Sequence, residues 1–109
     1  MELKFSFPIE AIAEGTVEVA VPRLEAFVKA PSDYAPSKAP VFYNPVMELN
    51  RDVAVLALQA YQRWSGRELR VCEPLTGCGV RGIRVAKEVD GLAKVIVNDI
   101  NSGLTIKKN

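Results

Sequence analysis

Hydrophobic residues recur along this chain in rhythms that change with position. In TVEVAVP, Thr16 to Pro22, Val17, Val19 and Val21 alternate along an extended segment, which predicts a strand. Glu14-Gly15 just before it predicts a turn, and the rest of residues 1–24 alternates only loosely. Further on, Val46, Leu49, Val53, Leu56, Ala60 and Trp64 recur at steps of three and four, the period of a helix. Asn44-Pro45 supplies an N-cap and a proline at the first helical position, and Gly66 supplies a stop, so a helix is predicted over 45–65. LRVCEP (69–74) reads as a short buried strand, Val80 to Val89 as a second helix ended by Asp90-Gly91, and KVIVND (94–99) as another strand. Ser102 to Asn109 begins one more helix, and KAPSDYAPSKAP (29–40), with its prolines and serines, is an irregular connector.

Assembled in order, the second half is strand, glycine loop, helix, strand, acid, helix. That is one right-handed βαβ unit of a parallel sheet. The expected class is α/β: an N-terminal strand and connector over 1–40, then a helix leading into the start of a doubly wound domain over 41–109. A chain of 109 residues with 49% hydrophobic content can bury one modest core. Fourteen Lys and Arg against thirteen Asp and Glu leave a net charge of +1, and no basic stripe points to a dedicated nucleic-acid module. Cys72 and Cys78 without any histidine argue against a zinc site or a disulfide framework and fit a reducing cytosol. The longest apolar run, Val53 to Leu58, is too short to span a bilayer, and acidic residues interrupt any signal-peptide reading of MELKFSFPIEAIAEG. A soluble cytoplasmic chain with no metal is expected.

The candidate chemistry lies in EPLTGCGVRGIR, residues 73–84. Its glycines at 77, 79 and 82 spell the dinucleotide fingerprint G-x-G-x-x-G. In a dinucleotide site, however, the first glycine follows the strand directly, so that pyrophosphate reaches the next helix N-terminus. Here Glu73-Pro74-Leu75-Thr76 intervene, and an acid at the strand tip would repel pyrophosphate. It suits a cofactor with positive charge, such as S-adenosylmethionine with its ammonium and sulfonium. Gly77 and Gly79 would let the backbone pass close to the adenosine, and Asp99 at the second strand's tip would accept hydrogen bonds from the ribose hydroxyls. The pattern favours a methyltransferase over a dehydrogenase. Plainer readings stand beside it. The glycines can be a tight turn, and Asp99 or Ser102 can cap the last helix. Arg81 and Arg84 can be solvated on an outer face, and Cys72 and Cys78 can be small packing residues. Glu48, Arg51 and Asp52 have the spacing of ordinary helix-surface ion pairs.

The segments VFYNPVMELNRDVAVL (41–56), VCEPLTGCGVRGIRVAKEV (71–89) and VIVNDI (95–100) resemble the tRNA (guanine(26)-N(2))-dimethyltransferases of archaea and eukaryotes. EGTVEVAVP (14–22) also looks like that family's opening strand, and F-Y-N-P with N-R-D is the most specific part. The resemblance implies a Rossmann-like class I methyltransferase sheet, present here only in its first part. It implies transfer of methyl groups from S-adenosylmethionine to the exocyclic N2 of a tRNA guanine. By the same resemblance Arg51 and Arg81 would contact the cofactor through its carboxylate; Asp99 would take the ribose, and Phe42 would lie near the target base. Where the family writes D-A-L-S-A-T-G, this chain has E-P-L-T-G-C-G, which makes Glu73 the strand-tip acid. The family's catalytic D-P-F-G motif and its tRNA-binding domain would lie past residue 109, so the chain alone is expected to bind cofactor without catalysing transfer. The remaining portion would be its partner, along with tRNA. Two other readings are a non-catalytic βαβ nucleotide-binding module acting with a partner chain and a fragment of an NAD-dependent enzyme.

Overall fold

The computed structural model describes residues 7–23 and 41–100. The connector at 29–40 and the helix expected from Ser102 lie outside them. The chain opens with a hairpin, β1 (Ile9–Glu14) and β2 (Val17–Pro22), paired antiparallel from Ile9 opposite Pro22 to Glu14 opposite Val17. The turn is Gly15-Thr16, with Gly15 at φ 58°, so Glu14 ends a strand rather than beginning the turn. Loose alternation concealed β1: IEAIAE sets Ala11, Ile12 and Ala13 side by side, and no period of two emerges.

The predicted helix forms in two pieces. Asn44 Oδ1 accepts the Val46 amide at 3.0 Å, Pro45–Met47 make a 3-10 turn, and α1 runs Glu48–Ser65. Gly66 closes it in the left-handed conformation at φ 66°, where glycine has no Cβ to collide, donating to the Gln62 carbonyl. Next come β3 (Leu69–Glu73), α2 (Val80–Glu88) and β4 (Leu92–Val97). β3 and β4 pair in parallel, with Val71 opposite Val95 and Glu73 opposite Val97, as the βαβ reading requires. β4 starts earlier than predicted and stops two residues short of Asp99. The strand tips stay tied through Asn98 donating to the Glu73 carbonyl at 3.0 Å and Thr76 donating to that of Asn98 at 2.9 Å.

Two apolar clusters hold these pieces. Val17, Val19 and Val21 of the hairpin pack with Val41, Tyr43, Cys78 and Val80, so the hairpin is buried against the glycine loop. Val55, Val85 and Val89 form the second cluster, with Leu58, Val71, Leu92 and Val95 against it. The stripe that signalled α1 is not in either. Val46, Leu49, Val53, Leu56 and Trp64 are exposed, Trp64 by 81%, and Tyr61 lies tilted on Trp64 with ring centroids 5.9 Å apart. Helical spacing determines which residues share a face, not which face meets a partner. Here α1 is buried through Arg51 and Val55 instead. Two further expectations change. Cys78 packs in the core as expected, but Cys72 is exposed on β3, and Arg84 is 4% exposed rather than solvated.

Candidate functional site

The loop after β3 is shaped by glycines that only glycine conformations permit. Gly77 has φ 61° and Gly79, the residue before α2, has φ 87°. The Gly77 amide donates to Asp99 Oδ2 at 2.8 Å, and the Cys78 amide to the Phe42 carbonyl at 3.3 Å. A Cβ on Gly77 would lie 2.7 Å from that same carbonyl oxygen. The loop is therefore clasped between the F-Y-N-P segment and the tip of β4. Asp99 already acts here as an acceptor for the loop backbone.

Beside the loop lies a cavity of about 170 Å³, lined by Phe42, Tyr43, Asn44, Met47, Arg51, Glu73, Leu75, Thr76, Val80 and Arg81. Four sequence-predicted residues thus meet on one surface: Phe42, Arg51, Glu73 and Arg81. Gly77, Gly79 and Asp99 form the adjoining loop and are not among the lining residues. Glu73 Oε2 and Thr76 Oγ1 are buried without a hydrogen-bond partner. Burial pushes the Glu73 carboxyl above its ordinary value; the Thr76 side chain, the Arg81 charge and the Gly82 amide pull against this, without any of them giving Oε2 a well-formed hydrogen bond. Arg81 stands 3.9 Å from Glu73 Oε1 and donates to Asn50 Oδ1 at 2.7 Å.

Arg51 is held quite differently from a surface ion pair. Its Nε reaches both oxygens of Glu14, at 3.1 and 2.8 Å, and its Nη2 reaches Glu14 Oε1 at 2.6 Å and the Asn44 carbonyl at 3.0 Å. Its guanidinium carbon lies 4.9 Å from the Tyr43 ring centroid, a cation–π arrangement, while the Tyr43 hydroxyl donates to Glu14 at 3.0 Å. Arg84 Nη1 donates to Glu14 at 3.2 Å and to Asp52 at 2.6 Å, and its Nε donates to Glu88 at 2.7 Å. Asp52 pairs with Arg84, and Arg51 pairs with Glu14 rather than with Glu48 or Asp52. Burial raises the Glu14 carboxyl, but Arg51, Tyr43 and Arg84 together outweigh it and hold its pKa below the ordinary value. Burial and the Glu14 charge push the Tyr43 hydroxyl up to about 12. Glu88 first, then Asp52 and Glu14, raise Arg84 despite its burial. For Glu14 the folded pKa lies below the unfolded one, so the stability it contributes is present above the ordinary carboxylate value and lost as pH falls through the folded one. Acid unfolding should therefore set in below the ordinary glutamate range, and Glu14→Gln should flatten that limb of a stability–pH profile followed by circular dichroism.

Glu14, Tyr43 and Thr76 were not singled out from the sequence. Glu14 read as half of a turn, and no local period links it to Arg51, thirty-seven positions away. The hydroxyls of Tyr43 and Thr76 carry no spacing signal at all.

A sequence model of the N2,N2-dimethylguanosine tRNA methyltransferases matches residues 15–109. The chain belongs to this family. A tRNA (guanine(26)-N(2))-dimethyltransferase of Methanobrevibacter smithii is 42% identical to it over 95 residues, covering 87% of this chain and 22% of the relative. One from Pyrobaculum arsenaticum is 48% identical over 98 residues, covering 88% and 25%. A solved structure of Trm1 from Pyrococcus horikoshii in complex with S-adenosyl-L-methionine superimposes with a TM-score of 0.64 at 30% identity, over 87% of this chain and 20% of that one. As a family member, this chain spans about a fifth to a quarter of the length of the relatives it matches. The likeness to Trm1 makes its βαβ unit part of a Rossmann-like methyltransferase fold.

Proposed function

We propose that residues 41–109 begin the S-adenosylmethionine-binding domain of a tRNA (guanine(26)-N(2))-dimethyltransferase, with the cofactor's amino-acid end received in the cavity lined by Arg51, Glu73 and Arg81. The observation that carries this is the pair of buried, unpartnered acceptor atoms, Glu73 Oε2 and Thr76 Oγ1, in residues that share a cavity with two arginines. A buried carboxylate oxygen without a donor is costly, and an ammonium group supplies the donor and the opposite charge. The arginines suit a carboxylate, so the residues present fit a zwitterionic amino acid. At about 170 Å³ the cavity is smaller than the roughly 300–1,000 Å³ of sites that enclose a whole ligand. It would hold one end of the cofactor, while the glycine loop and Asp99 lie toward the nucleoside. Asp99 would keep the Gly77 amide in place and offer its carboxylate to the ribose. Phe42, 46% exposed at the cavity rim, would present a ring face to the guanine. Bound there, the cofactor supplies an electrophilic methyl group for the guanine amine.

Transfer to tRNA, the rest of the polypeptide as partner and a cytoplasmic location extend the same reading. The free thiols of Cys72 and Cys78 accord with a reducing compartment, and among the described residues no helix is long and apolar enough to cross a membrane. The activity for which the relatives are named and the family match over residues 15–109 support the substrate. Residues 1–40 would form the strand segment and connector that precede this domain.

Titration calorimetry with S-adenosylmethionine and with NAD tests the ligand class. Heat of binding is expected from S-adenosylmethionine alone, and tight NAD binding without it would overturn the proposal. Its pH dependence follows from Glu73. A carboxylate whose folded pKa is raised remains protonated to higher pH, and only its ionised form pairs with an ammonium. Affinity should rise with pH through a range above the ordinary glutamate value, and Glu73→Gln should remove that rise.

A further inference from the structure

Glu14 does not line the cavity, yet two residues that do, Arg51 and Tyr43, are both bonded to it. We infer that Glu14 is a positioning residue that aims the Nη1 group of Arg51 at the cofactor's carboxylate. This rests on the cofactor reading given above. A guanidinium has five N–H donors in a rigid planar fork. Glu14 takes the Nε and Nη2 edge, and the Asn44 carbonyl takes a further Nη2 hydrogen. Among the described residues these bonds leave out Nη1. Because the fork is planar, gripping the Nε and Nη2 side sets the direction of Nη1. The Tyr43 ring beneath the guanidinium and the Tyr43 hydroxyl on Glu14 close the clasp from a second side.

Direction rather than net charge is what Glu14 supplies, because Arg51 and Arg84 already face the three carboxylates of Glu14, Asp52 and Glu88. Arg84, anchored by Asp52 and Glu88, also holds Glu14 in place. The hairpin thereby contributes to a site that it does not touch, through a side chain 1% exposed.

A purely structural Glu14 would affect every ligand of the site alike; a positioning Glu14 would affect those with a carboxylate. The test compares S-adenosylmethionine with 5′-methylthioadenosine, a thioether nucleoside that lacks the amino-acid portion. In the 109-residue chain, Glu14→Gln should weaken S-adenosylmethionine on the order of tenfold more than 5′-methylthioadenosine, the scale of one charge-assisted hydrogen bond. Glu88→Gln removes a partner of Arg84 without touching Arg51. It should lower thermal stability and leave the ratio of the two affinities unchanged. If Glu14→Gln does not fold, Glu14→Asp keeps the charge, withdraws the carboxylate by one methylene and should shift the ratio in the same direction. Equal weakening of both ligands, or no change in either, in a folded variant would overturn the inference while leaving the cofactor reading intact. Failure of the unsubstituted chain to bind S-adenosylmethionine would overturn both.

Discussion

Arg84→Ala should cost the fold about 3–5 kcal/mol, the range for breaking a buried ion pair by removing one partner. Arg81→Ala, three residues earlier on the same helix, should cost less than about 1 kcal/mol. The two arginines differ in what surrounds them. The Arg84 side chain is 5% exposed and meets Glu14, Asp52 and Glu88. Truncating it leaves Glu14, 1% exposed, with one cation instead of two, and Glu88, 14% exposed, without its partner. Asp52, 42% exposed, can return to water and contributes least. The Arg81 side chain is 30% exposed, and its distance of 3.9 Å to Glu73 is at the limit of an ion pair. A domain of this size has a total stability of only roughly 5–15 kcal/mol, so Arg84→Ala approaches global unfolding. Urea denaturation of both variants gives the comparison. Equal midpoints would mean that the cluster around Arg84 is not buried in solution.

Gly77→Ala should cost about 2–4 kcal/mol and weaken cofactor binding, because two penalties coincide at this position. A side chain at φ 61° pays roughly 1–2 kcal/mol for the left-handed conformation wherever it occurs. The added Cβ would also sit 2.7 Å from the Phe42 carbonyl, which is backbone and cannot rotate away. Either the loop or the F-Y-N-P segment must move, and the Cys78 amide loses its acceptor. Gly66 supplies the control. It has a similar φ of 66°, but a Cβ there meets nothing within 4 Å. Gly66→Ala should therefore show the conformational penalty alone and leave ligand affinity unchanged. Matching losses in the two variants would show that the clasp between Gly77 and Phe42 contributes nothing.

The cofactor loop was legible because its information is local. Glu73, the glycines and the strand on either side lie within a few positions of one another, and the strand–loop–helix–strand order leaves few ways to arrange them. Gly66 and Asn44 were legible for the same reason: a cap depends on neighbours two to four residues away. β1 was not, since its apolar residues have no alternation and its pairing with β2 supplies the order that its own sequence lacks. The stripe on α1 misled in another way. Its period is real and its helix forms, but the side that is buried is chosen by what packs there.

By itself the sequence determined the helix and strand order, the parallel βαβ unit, the acid at the strand tip and the family to which these belong. Tertiary structure alone decided what each charge does. Arg51, Arg81 and Arg84 are the same residue type on neighbouring helices, yet one is clasped by Glu14, one borders a cavity and one is buried among three acids. Helical spacing can say that two side chains share a face. The partner of a buried guanidinium comes from an element far away in the chain, brought near by the valines of the hairpin and the core of the glycine loop. Desolvation then makes that pairing obligatory, because an arginine enclosed away from water must find its carboxylate wherever the fold has put one.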